Sequence, residues 1–233
     1  MGRMARIPLK VMSSMATREI VAELAARYET VAAQPIAVEA AGGVDVAKRV
    51  MAGEAVDVVI LAANAIDKLV QSGRLRSGSR VDLVRSGIAI AVRAGSRRPE
   101  IASEESVRAA VLAARTLSYS TGPSGVYLEK MFERWGILEA IRPRILVPPP
   151  GVPVGSLVAS GAAELGFQQL SELLDCPGVD VVGALPSAIQ CITVFSGGIS
   201  VDSAQADAAR GLLKFMASPA VAEVKSRRGM EPP

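Results

Sequence analysis

The chain has 233 residues, half of them apolar and 21% charged, which is the profile of a folded globular protein with a sizeable core and excludes global disorder. Its 26 basic and 23 acidic residues give a formal charge of +3. They are scattered without a run of like charge, so no nucleic-acid-binding tail is present, and the mild basicity suits an anionic ligand. No histidine occurs, which removes Ser-His-Asp and Cys-His catalysis, histidine metal centres and imidazole acid–base chemistry.

Short β-branched runs alternate with segments of helical period, the pattern of βαβ units around a mostly parallel sheet, so the class is α/β. The spacing predicts a strand over Leu9 to Met12 and a helix over Ala16 to Tyr28, with Ser14 and Thr17 as candidate N-caps. Strand Pro35 to Glu39, turn Gly42-Gly43 and helix Val44 to Met51 follow, then the apolar strand Val56 to Leu61 and a helix over Ala63 to Gln71. Arg80 to Ala94 reads as a long strand able to cross between lobes.

Beyond the polar loop Gly95 to Glu100, the pattern predicts helix Glu105 to Ala114, strand Thr116 to Ser120 and helix Ser124 to Trp135, closed by Gly136. Strand Arg144 to Val147, a stiff loop Pro148 to Pro153, helix Val154 to Ser160 and strand Ala163 to Phe167 come next. Strand Val179 to Val182, the turn Leu185-Pro186 and a second long run, Ile189 to Phe195, precede two helices, Ser203 to Ala217 and Pro219 to Arg227.

The N-terminal MGRMARIPLKVMSS leaves no room for an apolar export segment before the first strand, and no run of about 18 apolar residues occurs. A cytoplasmic chain is expected, or a periplasmic one if a leader has been removed. Without export, no transporter partner is expected, nor insertion into a membrane. Cys176 and Cys191 are too few and too far apart for a zinc site or a disulfide framework, and read as half-buried reduced thiols.

In parallel α/β folds ligands gather at the carboxyl ends of strands, where helix N-termini offer unpaired N–H groups. Four such ends carry small polar residues: Ser13-Ser14, Gly42-Gly43, Ala63-Asn64 and the run from Ser118 through Ser120, Ser124 and Gly125. Their neutral hydroxyls and amides can wrap an oxyanion without burying a lysine, although each serine taken singly also suits plain helix capping. Gln168, Gln169, Ser171 and Glu172 follow a strand and can line a second face, or simply open a solvated helix. Gly122-Pro123-Ser124-Gly125 matches neither a P-loop nor a GxGxxG loop nor a GxSxG elbow, so neither ATP nor NAD is expected. No cofactor and no metal ion are expected.

Several stretches resemble the periplasmic molybdate-binding proteins and their wider relatives. They are Lys10 to Ser14, AGEAVDVVILAANAIDKLVQSGRL from Ala52, PSGVYLEKMFERWGI from Pro123, LVASGAAELGFQQLSELL, LPSAIQ and the ending FMASPAVAEVKSRRGMEP, which together span nearly the whole chain. The resemblance implies a type II periplasmic-binding fold: a mixed sheet in each of two lobes, two hinge-crossing segments, and a small anion enclosed in the interlobe cleft by hinge closure. The lobes are expected as residues 1–83 with 190–233, and 84–189. In molybdate binders hydroxyls at the first and second strand ends take part; here the second end reads Ala40-Ala41-Gly42-Gly43, and Gln168-Gln169 stands where a tyrosine is expected. These departures look closer to the branch that includes aconitate isomerase.

Two functions follow. One is capture of a small oxyanion or a di- or tricarboxylate. The other is cofactor-free isomerisation of an unsaturated carboxylic acid, in which Glu172 or Tyr119 would act as base while Ser120, Ser124 and nearby N–H groups hold the enolate-like charge. A cytoplasmic ligand sensor docking to a partner ranks behind both.

Overall fold

The computed structural model describes residues 6–149 and 152–233, so residues 150 and 151 of the expected loop lie outside the described residues. The chain forms two compact units, one running to Arg85 and resuming at Val194–Pro233, the other Ser86–Thr193. Each has its own core.

In the first unit Leu9–Ser14 forms β1, two residues longer than expected, and the 3-10 turn Met15–Thr17 leads into α1, Arg18–Ala32. β2 (Ile36–Ala41) and β3 (Val58–Ala62) flank β1, both parallel to it. Their return helices are α2 (Gly43–Met51) and α3 (Ala63–Gln71). All five residues of β3 are buried, as a parallel strand covered on both faces requires. Strand alternation sends Val11, Val58 and Ile60 to one core with Ile20, Leu24, Leu212, Leu213 and Met216, while Met12, Val59 and Leu61 meet Val46, Val50, Ile66 and Leu69 on the other face.

The second unit takes up the far part of β4 (Val81–Arg93), the long strand expected to cross between lobes. After α4 (Glu104–Ala113), capped by a reciprocal Ser103–Ser106 box, come β5 (Leu117–Tyr119) and α5 (Pro123–Arg134). A short helix α6 (Leu138–Ile141), with no counterpart in the sequence reading, precedes β6 (Ile145–Leu146) and α7 (Val154–Ala159). β7 (Leu165–Gln169) and β8 (Val179–Ala184), separated by α8 (Leu170–Leu173), both run antiparallel to β4, and β5 is parallel to β6 and β7. Phe132 is the aromatic hub of this core, with ring centroids 6.0 Å from Tyr119, 5.7 Å from Trp135 and 6.1 Å from Phe167.

The last third departs from the sequence reading at its boundaries. The run expected from Ile189 is a 3-10 turn over Ser187–Ile189, and β9 begins at Ile192 and extends to Ile199, pairing antiparallel with β3. Helix α9 starts at Ala206 rather than Ser203. The Ser203 hydroxyl is occupied: it donates to Asp57 Oδ1 at 2.6 Å and accepts from Gln205 N at 3.1 Å. The final helix breaks into a 3-10 turn, Pro219–Val221, and α10, Ala222–Arg227.

Lys225 on α10 is only 1% exposed and has no ion-pair partner among the described residues. Burial pushes its ammonium pKa below the ordinary 10.5. The unfolded chain therefore holds that proton more tightly, and stability should rise as pH climbs from the lowered folded pKa towards 10.5. Lys225→Met should stabilise the protein by roughly 1–2 kcal/mol near neutral pH and abolish that alkaline rise. Urea melts of both proteins across an alkaline pH series check both outcomes.

Candidate functional site

Because β1, β2 and β3 run the same way, their chains leave the sheet at one edge and enter helices there. Ser13 and Ser14 close β1, with Ser13 buried and its hydroxyl 3.4 Å from the Ser14 carbonyl. The Ser14 hydroxyl pairs with Thr17 Oγ1 at 3.0 Å. Thr17 itself donates to the Ser14 carbonyl at 3.2 Å. Thr17, 1% exposed, was not singled out in the sequence, where it read only as a cap.

Gly42 is the N-cap of α2 and Gly43 its first residue; a Cβ at Gly43 would stand 3.6 Å from Ser14 Cβ and 3.7 Å from Leu61 Cδ2. The three strand ends therefore meet at that glycine. Ala63 and Asn64 open α3, Ala63 half-buried and Asn64 exposed. No side chain caps α2 or α3, so the first-turn N–H groups of these two helices are left for another acceptor, whereas α1 continues from the 3-10 turn and its first N–H, that of Arg18, donates to the Met15 carbonyl. Arg18, at the start of α1, pairs with Glu19 at the surface.

In the second unit Ser120 and Ser124 come together, hydroxyl to hydroxyl at 3.1 Å, at the uncapped start of α5. Gly125 is demanded there by packing, since a Cβ would fall 1.5 Å from the Ser120 carbonyl oxygen. Tyr119 is buried against Phe132, and burial together with the Glu129 charge pushes its phenol pKa up. It holds its proton more firmly than a free tyrosine, which is the opposite of what a general base needs.

The neighbouring strand β7 ends in Gln168 and Gln169, both buried. Gln168 Nε2 donates to Glu172 Oε1 at 2.7 Å, which gives the half-buried Glu172 a fixed partner. Gln168 Oε1 has no hydrogen-bond partner among the described residues, a condition that costs about 1–3 kcal/mol in a buried acceptor.

Gln169, expected to face a ligand, is engaged within its own unit. With the carboxamide turned to satisfy both ends, Nε2 donates to the Ser86 and Gly87 carbonyls at 3.0 and 3.3 Å and Oε1 accepts from the Thr193 hydroxyl at 2.9 Å. Gln190, the last residue of the LPSAIQ stretch, does the same work nearby. Its Oε1 accepts from Ile88 N at 2.8 Å and Cys191 N at 2.9 Å, and its Nε2 donates to Ile88 O at 3.0 Å.

Cys176 and Cys191 are free, half-buried thiols whose pKa burial raises. Among the described residues no group of three or more His, Cys, Asp or Glu side chains is placed to hold a metal ion, and no helix is long and apolar enough to cross a membrane.

Strand ends with neutral hydroxyls, uncapped helix starts and close-set glycines form the donor set of an oxyanion or carboxylate site. The chain belongs to the bacterial extracellular solute-binding protein family, whose profile matches residues 9–231. It is 36% identical over 230 residues to an aconitate isomerase of Pseudomonas sp, covering 96% of this chain and 87% of that one. Among solved structures, the periplasmic molybdate-binding protein of Azotobacter vinelandii superposes with a TM-score of 0.80 at 20% identity, covering 97% and 99% of the two chains. The tungstate ABC transporter protein of Geobacter sulfurreducens does so with a TM-score of 0.74 at 14% identity, covering 94% and 98%. These likenesses show the type II periplasmic-binding fold expected from the sequence.

Gly125→Ala should destabilise the protein by about 3 kcal/mol or more, because backbone rather than a flexible side chain must move. Ser120→Ala, which removes one hydroxyl pair, should cost only about 1 kcal/mol. Urea denaturation of the two variants measures the contrast.

Proposed function

We propose that this member of the solute-binding family takes a small anion, an oxyanion or a di- or tricarboxylate, on strand-end hydroxyls and helix N-termini. The observation that carries the reading is the meeting of the β1, β2 and β3 ends at Gly43, with two helices, α2 and α3, that no side chain caps. An acceptor-rich ligand satisfies those N–H groups without a buried cation, so it is held by neutral donors and can leave again.

The residues proposed for contact are Ser13, Ser14, Gly42, Gly43, Ala63 and Asn64 in the first unit and Ser120, Ser124, Gly125 and Gln168 in the second. Support for two lobes comes from the two compact units. A transporter partner, not expected from the sequence, fits the family, since the tungstate-related neighbour is named as an ABC transporter.

The relationship to the Pseudomonas aconitate isomerase favours a second reading, cofactor-free movement of a proton along an unsaturated carboxylic acid. Glu172 is the better-placed base of the two considered, because the Tyr119 phenol pKa is raised by burial. The Ser120–Ser124 pair at the start of α5 would hold the developing enolate charge.

Thermal unfolding against a panel of oxyanions and carboxylates tests the binding reading. A ligand at about 100 times its Kd should add about 2.7 kcal/mol, and no shift with any member of the panel overturns it. Proton NMR in deuterated water with cis-aconitate and related acids tests the second reading: deuterium entering the allylic position, lost in Glu172→Gln, is expected of an isomerase, and binding without exchange leaves a binding protein.

A further inference from the structure

Among the described residues a single buried side-chain polar atom goes without a hydrogen bond: Oε1 of Gln168, in a residue 3% exposed. The other end of that amide is committed, because Nε2 donates to Glu172 Oε1 at 2.7 Å. The amide cannot turn over without setting its oxygen against the carboxylate, so the open position is an acceptor.

Its place in the unit is that of a ligand group. The parallel register pairs Tyr119 with Phe167, so Gln168 lies one residue past the last pair, beside Ser120 at the strand end. The Phe167 ring packs on Phe132 of α5, so alternation turns Gln168 to the opposite face, that of Gly166, where Val154 and Val158 of α7 pack. β5 and β7 are parallel neighbours, so their carboxyl ends lie at one end of the sheet: β5 leads into the Ser120–Ser124 hydroxyl pair and the start of α5, and β7 carries the open acceptor Gln168 Oε1.

A fully deprotonated oxyanion such as sulfate or molybdate is acceptor-only and would meet an acceptor there. Resting on the anion-binding reading, we propose that the ligand of this protein is an anion that also carries an O–H donor, and that Gln168 Oε1 receives it. A hydroxy acid, a half-protonated polycarboxylic acid and hydrogen phosphate share that chemistry. The same strand end rejects a donor-free dianion by leaving a buried acceptor unpaired.

Calorimetric titration of the full chain with two matched pairs tests this: sulfate against hydrogen phosphate at a mildly alkaline pH where both are dianions, and succinate against hydroxysuccinate. The O–H-bearing member of at least one pair should bind roughly tenfold tighter or more, and Gln168→Met should bring that ratio close to one. Succinate gaining affinity as pH falls, in the native chain but not in Gln168→Met, assigns the donor to a protonated carboxyl. Preference in the second pair without that pH effect assigns it to a hydroxyl.

Equal affinity within both pairs with no pH effect on succinate overturns the inference. A preference that survives in Gln168→Met overturns it as well. The native ratios stand whether or not the variant folds, and its thermal melt shows which is the case. Absence of saturable binding by every probe overturns instead the anion-binding reading beneath it.

Discussion

Parallel pairing of β1 with β2 and β3 is the constraint on which the first unit's chemistry depends. Parallel strands cannot be joined by tight turns, so each must be followed by a return helix, and each helix begins with N–H groups that have no intrahelical partner. A protein can satisfy those groups with a capping side chain. At α4 it does, through Ser103 and Ser106; at α2 and α3 it does not, and neither does it at α9 or α10.

The second unit handles polar burial differently. Two glutamines, Gln169 and Gln190, are consumed by main-chain groups of Ser86, Gly87 and Ile88 and by Thr193, which lie just inside the points where the chain enters and leaves the unit. Their amides replace ladder bonds that the strands do not make for themselves. Gln168, one residue away, keeps half of its capacity open. Adjacent residues of one type thus divide into a structural clasp and a candidate recognition group, and the division follows from strand alternation.

Much of this was legible in the sequence, and the legible parts share a cause. Helix Ala63 to Gln71 was read to the residue and β3 nearly so, because an apolar run followed by a segment of helical period leaves few alternatives. The donor-bearing strand ends Ser13-Ser14, Gly42-Gly43 and Ser120 to Gly125 were found because glycine and serine at a strand-to-helix junction have a local meaning. Where local meaning failed, long-range bonds had decided. Helix α9 starts late because Ser203 reaches Asp57, 146 positions away in the chain. Gln169 faces Thr193 through a contact that no spacing rule encodes. The burial of Lys225 left no mark in the sequence, since nothing in its neighbours reports that α10 is covered on that side.

The first unit is interrupted in sequence by the whole of the second, since the chain leaves it at Arg85 and returns at Val194. The partner of β3 along its free edge is β9, whose last residues come after that return. During synthesis a fully apolar strand therefore emerges more than a hundred residues ahead of its neighbour, while Ser86–Thr193 already has all its own strands. The inserted unit can complete first, and the apolar edge of β3 must be shielded until the ribosome has delivered Ile199. The order of emergence makes the interrupted unit the slower and more aggregation-exposed half of the molecule.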